Sequence, residues 1–363
     1  MDISVAMATY NGAAYLADQL KSLATQTKKP AELVICDDQS SDATAEIVRS
    51  FARRAPFPVT FVANEQRLHY ADNFLKAAGL CSSDHVAFCD QDDIWLPHKI
   101  ATVAHALDSS GACLVGHKAT NIDATGQSLG EFSQTDRYGL LTGADLHPWR
   151  FYFGFTCTFR RQLLEMIPAT QRPIDLIDPR WQLAHDRWVA FLAAVYGDVY
   201  FVDESLAEYR HHSTNASGWM RKPRGLAGSL RAARQRFGYR LLRQLLVARG
   251  LVEVLQRLVA DHRRLGRLPS AERALEMLAY WTVFEERCAA RYRIVEPDRV
   301  DQRIYRLTRA VGDHAYRSAV DGSVHYRTLV EDLAVSMLAR PGQPQLASTL
   351  LGRDRMAGGA AAH

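Results

Sequence analysis

Short apolar runs alternate with segments of helical spacing over residues 1–120. The runs are rich in aliphatic and β-branched residues, which predicts strands at residues 3–8, 33–36, 59–62, 86–89 and 113–116. After the first run, Leu16, Leu20 and Leu23 fall on one face of a helix. Repeated strand–helix units predict a mainly parallel sheet covered by helices, with ligands bound at the carboxyl ends of its strands.

The pattern changes in the second half of the chain. Residues 121–218 are less regular, with an aromatic run at 149–153 and a predicted helix at 186–196. From Trp219 onward Arg and Leu recur at helical spacing. One helical face then carries a set of aliphatic residues, namely Leu241, Leu245, Val252, Leu255 and Val259.

Length and composition add to this division. The chain of 363 residues is longer than one hydrophobic core usually supports. We therefore expect an α/β domain at residues 1–218, an α-helical module at 219–345 and a flexible tail at 346–363. Hydrophobic residues at 47% and charged residues at 23% are typical of a folded soluble protein.

Several features favour a cytoplasmic location. An acid, Asp2, stands where a secretory leader carries Lys or Arg. The longest uncharged apolar run, residues 188–196, is far shorter than the roughly 20 residues that span a bilayer. The six cysteines form no CxxC pair, which is typical of reduced, structural thiols. Any contact with a membrane is expected to be peripheral.

Basic residues cluster at the start of the helical module. They precede its first acid, Glu253, and include Arg221, Lys222, Arg224, Arg231, Arg234, Arg236, Arg240 and Arg243. An Arg-rich amphipathic helix can lie on the anionic inner membrane, or it can be the solvated face of a bundle that packs on the catalytic domain or on another subunit. Nucleic acid is disfavoured, because the net charge is only +4 and no groove-reading motif accompanies the cluster.

Polar residues follow three of the predicted strands. After the fourth run, Asp90 and Asp92 offer the oxygen ligands that Mg²⁺ or Mn²⁺ prefers. The alternative is a polar turn in which Asp93 caps a helix that starts near Pro97. The pair Asp37-Asp38 can bind a base or a ribose, or can form a turn and helix cap.

Nucleotide-binding loops of other classes are not found in the sequence. The first strand is not followed by G-x-G-x-x-G, and the chain contains no G-x-x-x-x-G-K-[ST] motif. Dinucleotide-binding folds and P-loop enzymes are therefore disfavoured.

Taken together, the segments 4–12, 34–42 and 88–95 resemble the family 2 glycosyltransferases of the GT-A fold, particularly bacterial O-antigen and rhamnosyltransferase-like members. The resemblance continues through 185–188 and 209–215. It implies a GT-A α/β domain with a nucleotide-sugar half at 1–120 and an acceptor half at 121–218. In the related sequences, Gly usually stands at the position of His69, and several have a basic residue at that of Asp72.

The resemblance also implies roles for individual residues. Contacts to the donor nucleotide are expected from Thr9, Tyr10, Asn11, Asp38, Arg67, Asn73 and Asp90. Ligands of Mn²⁺ or Mg²⁺ are expected to be Asp90, Asp92 and His212. The diphosphate or the acceptor is expected to contact Arg210, Trp95, Gly154 and His185, and Asp186 matches the catalytic base.

Simpler interpretations of these residues stay open at this point. Asp186 can serve as the N-cap of a helix at 187–196. Arg210 and His212, beyond a strand predicted at 199–202, can lie in a solvated loop. The strip around Gly154, whose small residue is expected to leave room for sugar, can be core packing.

The implied reaction is inverting transfer of rhamnose or another hexose from a dTDP- or UDP-sugar to a glycan or lipid-linked glycan, in surface polysaccharide synthesis. One alternative is transfer of a hexose from a UDP-hexose, or of an N-acetylhexosamine from a UDP-N-acetylhexosamine. Another is a non-catalytic sugar- or nucleotide-binding subunit, and the sequence is compatible with a homo-oligomer or an assembly with other transferases. A nucleotidyltransferase is disfavoured, because its Gly-rich basic loop after the first strand is missing.

Overall fold

The computed structural model describes residues 1–142, 153–213, 226–261, 266, 268–295 and 300–312, with the side chains of 226–240, 295, 300 and 312 left out. Most of the aromatic run at 149–153 and the tail at 346–363 therefore lie outside the described residues. The same holds for Arg221, Lys222 and Arg224, and for the side chains of Arg231, Arg234, Arg236 and Arg240. The expected membrane contact of the Arg-rich segment stays a prediction.

Ten strands and nine α-helices are found in the described residues. The strands are β1 (Ile3–Thr9), β2 (Glu32–Asp37), β3 (Val59–Ala63), β4 (His85–Asp90), β5 (Ile94–Trp95), β6 (Leu114–Asp123), β7 (Ser128–Phe132), β8 (Gly139–Leu141), β9 (Thr158–Arg160) and β10 (Val199–His211). The helices are α1 (Leu16–Ala24), α2 (Thr44–Ala52), α3 (His69–Leu80), α4 (Lys99–Ser110), α5 (Leu163–Met166), α6 (His185–Tyr196), α7 (Leu226–Ala260), α8 (Ala271–Val295) and α9 (Val300–Gly312).

The strands form one mixed sheet in the order β3-β2-β1-β4-β9-β6-β10-β5, with β7 on β6 and β8 on β10. The first four strands of this order are parallel to one another. The short strand β9 runs antiparallel to both β4 and β6, and β10 is parallel to β6. Helices α1 to α3 connect the parallel strands, so the predicted α/β fold is confirmed, and the sheet as a whole is mixed because antiparallel pairings join its second half.

Burial explains why the early elements were predictable. Every residue of β1 is buried, as is normal for a strand covered by helices on both faces. Leu16, Leu20 and Leu23 of α1 are all buried, which confirms the predicted helical face. The six cysteines are buried free thiols, and burial raises the pKa of Cys36 to about 11.

Strand β10 is longer than the predicted strand at 199–202. It continues to His211 through register shifts between Val202 and Glu208, which interrupt the apolar alternation. Leu206, Ala207 and Tyr209 are nevertheless buried. Arg210 therefore lies within a strand, and the expectation of a solvated loop at this residue was wrong.

The helix-capping alternatives for Asp93 and Asp186 were also wrong. Helix α4 begins at Lys99, six residues beyond Asp93, and His98 precedes it. Helix α6 begins at His185 after Ala184, and no side chain caps it, so Asp186 lies within its first turn. Within this turn the Asp186 carboxylate accepts the Arg187 amide over 2.7 Å.

The described residues divide into two compact units. One comprises those of Met1–Arg172, Leu183–Met220 and Arg257–Met277, and the other those of Pro173–Gln182, Arg221–Gln256 and Leu278–His363. In the second unit, Arg249 of α7 pairs with Glu285 of α8 at 3.0 Å. On α7, Leu241, Leu245, Val252 and Leu255 are buried as their spacing predicts, and Val259 is half-buried. Within the described part of the chain, no helix has the length and apolarity needed to cross a bilayer.

Candidate active site

The carboxyl ends of β1, β2 and β4 bring the predicted polar clusters together. In the parallel ladder, Thr9 is paired with Asp37, and Ala8 is paired with Asp90. Parallel strands end at the same edge of a sheet, which is where ligands bind in folds of this type. The polar clusters that follow these strands in the sequence therefore lie at one edge of the sheet.

Thr9 and Asp37 tie the first two strand ends together. The Thr9 hydroxyl donates to Asp37 Oδ1 over 2.7 Å. The carboxylate of Asp37 also accepts bonds from the amide and hydroxyl of Ser40, at 2.9 and 2.6 Å. Asn11 joins the same turn, because its side-chain oxygen accepts the Ser41 amide over 2.8 Å. Thr9 and Asn11 thus shape the loops by bonds within the protein.

Three non-glycine residues of these loops adopt left-handed backbone conformations. The φ angles are 47° at Asn11, 64° at Gln39 and 61° at His69. Such conformations are uncommon outside glycine and cluster at functional sites. Glycine adopts such an angle without a steric penalty, so the conformation at His69 is one that glycine would favour.

Asp38 and Asn73 hold the start of α3 against β2. Asp38 is buried, and its carboxylate accepts the backbone amides of Leu68 and His69 at 2.6 and 2.9 Å. A carboxylate at a helix amino terminus also interacts favourably with the helix dipole. The Asn73 amide donates to the Cys36 carbonyl over 2.8 Å. Direct contact of these two residues with a donor stays a prediction.

Tyr10 and Arg67 form the exposed part of this edge. The Arg67 guanidinium lies 4.0 Å from the centroid of the Tyr10 ring. The backbone of Tyr10 is fixed by Gln91, whose amide accepts from its N–H over 3.0 Å and donates to its carbonyl over 3.1 Å. Sequence reasoning missed Gln91, although an amide between two acids is suited to bind both polar groups of one residue.

Three carboxylates meet after β4. One oxygen from each of Asp90, Asp92 and Asp93, together called the carboxylate cluster, lies within 4.8 Å of the others. Burial, with the charges of Asp92 and Asp186, raises the pKa of Asp90 to about 8. Asp186 of α6 therefore lies close enough to act on the cluster electrostatically.

The carboxylate cluster fits a divalent cation. Asp93 is fully buried; its Oδ1 accepts the Arg210 amide over 3.0 Å, and its Oδ2 has no partner among the described residues. Burial and the neighbouring acids raise the pKa of Asp93 well above its usual range. Mutual repulsion of this kind is relieved by a cation, and carboxylate oxygens are the ligands that Mg²⁺ and Mn²⁺ take.

Arg210 and His212 converge on Asp92 from β10 and the residue after it. Arg210 is buried, and its Nε donates to the Asp92 carbonyl over 2.9 Å. The ring of His212 places Nε2 2.8 Å from Asp92 Oδ2. Two residues at the start of α1 contact the same side chains. The Tyr15 ring packs against His212 and the Arg210 guanidinium, and the Asp18 carboxylate lies 3.6 Å from Arg210. Sequence reasoning missed Tyr15 and Asp18.

Trp95 does not reach the open edge. It is only 1% exposed and belongs to the hydrophobic core. Its ring lies 3.6 Å from the ammonium of Lys99, a buried residue whose Nζ donates to the Phe155 carbonyl over 2.6 Å. Burial lowers the pKa of Lys99 to about 7. The expected contact of Trp95 with an acceptor does not agree with this placement, and nothing in the sequence distinguished Lys99 from an ordinary surface lysine.

His185 lies in an aromatic cage beside Gly154. Its ring stacks on Phe74 at 4.2 Å and meets the edge of Phe88 at 4.7 Å. Neither ring nitrogen has a hydrogen-bond partner among the described residues. A Cβ atom on Gly154 would lie 2.5 Å from His185 Nε2. The space that glycine leaves is thus filled by His185, which corrects the expectation that it is left open for a sugar.

A methyl group at residue 154 is expected to destabilise the protein. Gly154→Ala should lower the free energy of unfolding by about 1–3 kcal/mol, because the packed imidazole of His185 must shift. Denaturant unfolding measures the change. The matched control is Gly79→Ala in α3, where a Cβ meets nothing within 4 Å and should stabilise by about 0.5–1 kcal/mol. Equal effects of the two substitutions would contradict the close contact.

Acid should destabilise the protein through His185. Burial, with the charge of Arg172, lowers the pKa of His185 from 6.5 to about 3. Between these values the unfolded chain binds one proton more than the folded chain, so the free energy of unfolding falls as the pH falls, by about 1.4 kcal/mol per pH unit. His185→Leu should remove this contribution and give a shallower dependence below about pH 6. Parallel curves for the two proteins in denaturant titrations would exclude the effect.

The fold is that of the GT-A class. The chain superposes on S. aureus TarS 1–349, crystallised in complex with UDP-GlcNAc, with a TM-score of 0.51. The superposition covers 81% of this chain and 90% of that one, at 17% sequence identity. At this identity the likeness shows the fold alone.

The sequence of this protein is similar to glycosyltransferases. Its residues 4–167 match the model of glycosyl transferase family 2. The protein is 30% identical over 226 residues to a glycosyltransferase of Nostoc sp.. This alignment covers 59% of the chain and 66% of the relative. The protein is 35% identical over 117 residues to the dTDP-rhamnosyl transferase RfbG of Shigella flexneri, covering 31% of this chain and 38% of the relative. The chain thus spans 66% and 38% of these two relatives.

Proposed function

We propose that this protein is an inverting, metal-dependent glycosyltransferase that moves rhamnose or another hexose from a dTDP- or UDP-sugar to a glycan or lipid-linked glycan. The observation that carries the proposal is the carboxylate cluster at the carboxyl end of β4, and the charge of Asp186 is one of those that raise the pKa of Asp90 there. A base beside a cation site is the arrangement that attack on an anomeric carbon with loss of a nucleotide diphosphate requires.

In this proposal Asp186 accepts the proton of the acceptor hydroxyl. The acceptor oxygen forms a bond to the anomeric carbon from the face opposite the donor phosphate, and the bond between that carbon and the phosphate oxygen breaks. The anomeric configuration is inverted, and the nucleotide diphosphate leaves. A general base of this kind contributes about 10²- to 10⁴-fold to the rate.

The departing diphosphate meets cationic groups. Asp90, Asp92 and His212 would hold Mg²⁺ or Mn²⁺, which supplies positive charge for the phosphate oxygens. Arg210 keeps a fixed charge next to Asp92, because its guanidinium is bonded to the Asp92 carbonyl and lies over Tyr15. The pairing of His212 with Asp92 orients both side chains toward the same point.

The donor nucleotide is proposed to bind at the exposed pair Tyr10 and Arg67. An aromatic ring and a guanidinium can both stack on a base. Thr9, Asn11, Asp38 and Asn73 contribute by fixing the loops around this pair, as their internal hydrogen bonds suggest. The dTDP-linked donor is supported by the name of the Shigella relative, and a UDP-linked donor by the ligand of TarS.

The acceptor is proposed to be a growing surface polysaccharide on the cytoplasmic side of the inner membrane. Support comes from the rhamnosyltransferase relative and from the Arg-rich segment that begins at Arg221. An anionic membrane attracts such a basic segment. Lipid-linked acceptors are found at the same membrane. A homo-oligomer or an assembly with other transferases is compatible with this role.

The test is nucleotide release from a panel of dTDP-, UDP- and GDP-sugars, with Mn²⁺ or Mg²⁺ and with glycan and lipid-linked acceptors. Release from one donor, lost on chelation, supports the proposal and identifies the donor. A stereochemical analysis of the product by NMR decides inversion. Donor binding without turnover on any acceptor would overturn the catalytic function and favour the non-catalytic subunit.

A further inference from the structure

Arg172 is a buried cation beside the start of α6. Its side chain is 1% exposed. The guanidinium donates through Nε to the Ala169 carbonyl over 2.8 Å and through Nη1 to the Leu183 carbonyl over 2.7 Å. Its Nη2 pairs with Asp72 Oδ1 of α3. A buried guanidinium needs partners of this kind, because the desolvation of an unpaired charge is costly.

The bond from Arg172 to Leu183 fixes the chain directly ahead of α6. The two residues flank the segment 173–182, so this bond closes the ends of that segment on each other. Only Ala184 separates Leu183 from α6, whose first turn begins with His185 and Asp186. A shift of the Leu183 carbonyl therefore moves the backbone that carries Asp186.

Helix α3 also contacts the start of α6. Asp72 lies in its first turn, between Tyr70 and Phe74, and both aromatic rings contact His185. The start of α3 is itself bonded to Asp38 through the Leu68 and His69 amides. A continuous series of contacts thus joins the end of β2 to the start of α6. Within it, the ion pair of Asp72 with Arg172 connects α3 to the residues ahead of α6.

We propose that Asp72 and Arg172 are positioning residues that hold Asp186 at the carboxylate cluster. The inference rests on the proposed function, in which Asp186 is the base. Asp72 is suited to a test because its side chain is 51% exposed, so its truncation opens no cavity in the core. Its loss removes the carboxylate that pairs with the Arg172 guanidinium and so loosens the bond to Leu183.

The experiment compares Asp72→Ala, Asp72→Glu and a matched control, Glu165→Ala. The control breaks another ion pair of a partly exposed acid, Arg161 with Glu165 at 3.1 Å. Asp72→Ala should lower kcat about 10- to 100-fold with the donor KM unchanged, because a small displacement of a reacting group has effects of this size. Asp72→Glu should restore most of kcat, and Glu165→Ala should match the wild type.

Hydrogen exchange gives a readout independent of turnover. Amides of residues 183–190 should exchange faster in Asp72→Ala than in the wild type and in Glu165→Ala. Unchanged exchange with unchanged kcat would overturn the inference, as would a rise in donor KM with kcat unchanged, which would assign Asp72 to donor binding. If the wild type turns over no donor, the proposed function fails, and the exchange rates alone then decide whether the pair fixes the start of α6.

Discussion

Asp186→Asn is expected to lower kcat by about 10³-fold, equivalent to roughly 4 kcal/mol in the activation free energy. Asparagine keeps the size and much of the polarity of the side chain but cannot accept the acceptor's proton at neutral pH. Asp186 lies in the first turn of α6 and accepts the Arg187 amide over 2.7 Å, a bond that the side-chain oxygen of asparagine can also accept. The measurement is nucleotide release at saturating donor and acceptor.

The binding of the donor should survive this substitution. Its Kd, measured by calorimetry with the metal present, is expected to stay within the range of the wild type, because the general base acts on the acceptor. Asp108→Asn is the matched control, since Asp108 is an exposed acid on α4. Equal turnover of the Asp186 and Asp108 variants would remove Asp186 from the base role. Loss of donor binding in Asp186→Asn would instead assign the residue to the donor.

The strand ends were predictable because local pattern and tertiary placement agree there. Each parallel strand is an apolar run that ends in a polar cluster, and the sheet brings such ends to one edge whatever the details of packing. Thr9, Asp37 and Asp90 are adjacent for this reason. The meeting of Arg210 and His212 with Asp92 could be expected only from the family resemblance, since β10 and β4 are not neighbours in the sheet.

The support beneath these residues was not predictable, because it depends on which side chains meet across the fold. Lys99 looks like a surface residue of a helix, yet its ammonium is buried against Trp95 and the Phe155 carbonyl. Gly154 looked like an opening for a sugar, and the space belongs to His185. Periodicity reports the burial of apolar groups, and it carries no information about buried polar contacts of high sequence separation.

Another substitution, at Asp92, tests the proposed metal site. Asp92→Ala is expected to weaken Mn²⁺ binding by about 100-fold or more, and to lower turnover at fixed metal by a similar factor. Asp92 has the side chain that is both part of the carboxylate cluster and paired with His212. Its removal takes away one oxygen ligand and leaves the imidazole without its partner. Mn²⁺ binding followed by electron paramagnetic resonance measures the first effect without any turnover.

The controls for this substitution separate metal binding from folding. Asp108→Ala removes an exposed acid of the same type and should leave Mn²⁺ binding unchanged. In Asp92→Ala the thermal midpoint without metal is expected to rise or stay level, because a carboxylate is removed from a cluster in which burial and like charges raise the pKa of Asp90 and Asp93. If Asp92→Ala bound Mn²⁺ as the wild type does, the cluster would not be the metal site. A stabilised variant that loses both Mn²⁺ and turnover would instead mean that the mutual repulsion of these acids is retained for catalysis at a cost in stability.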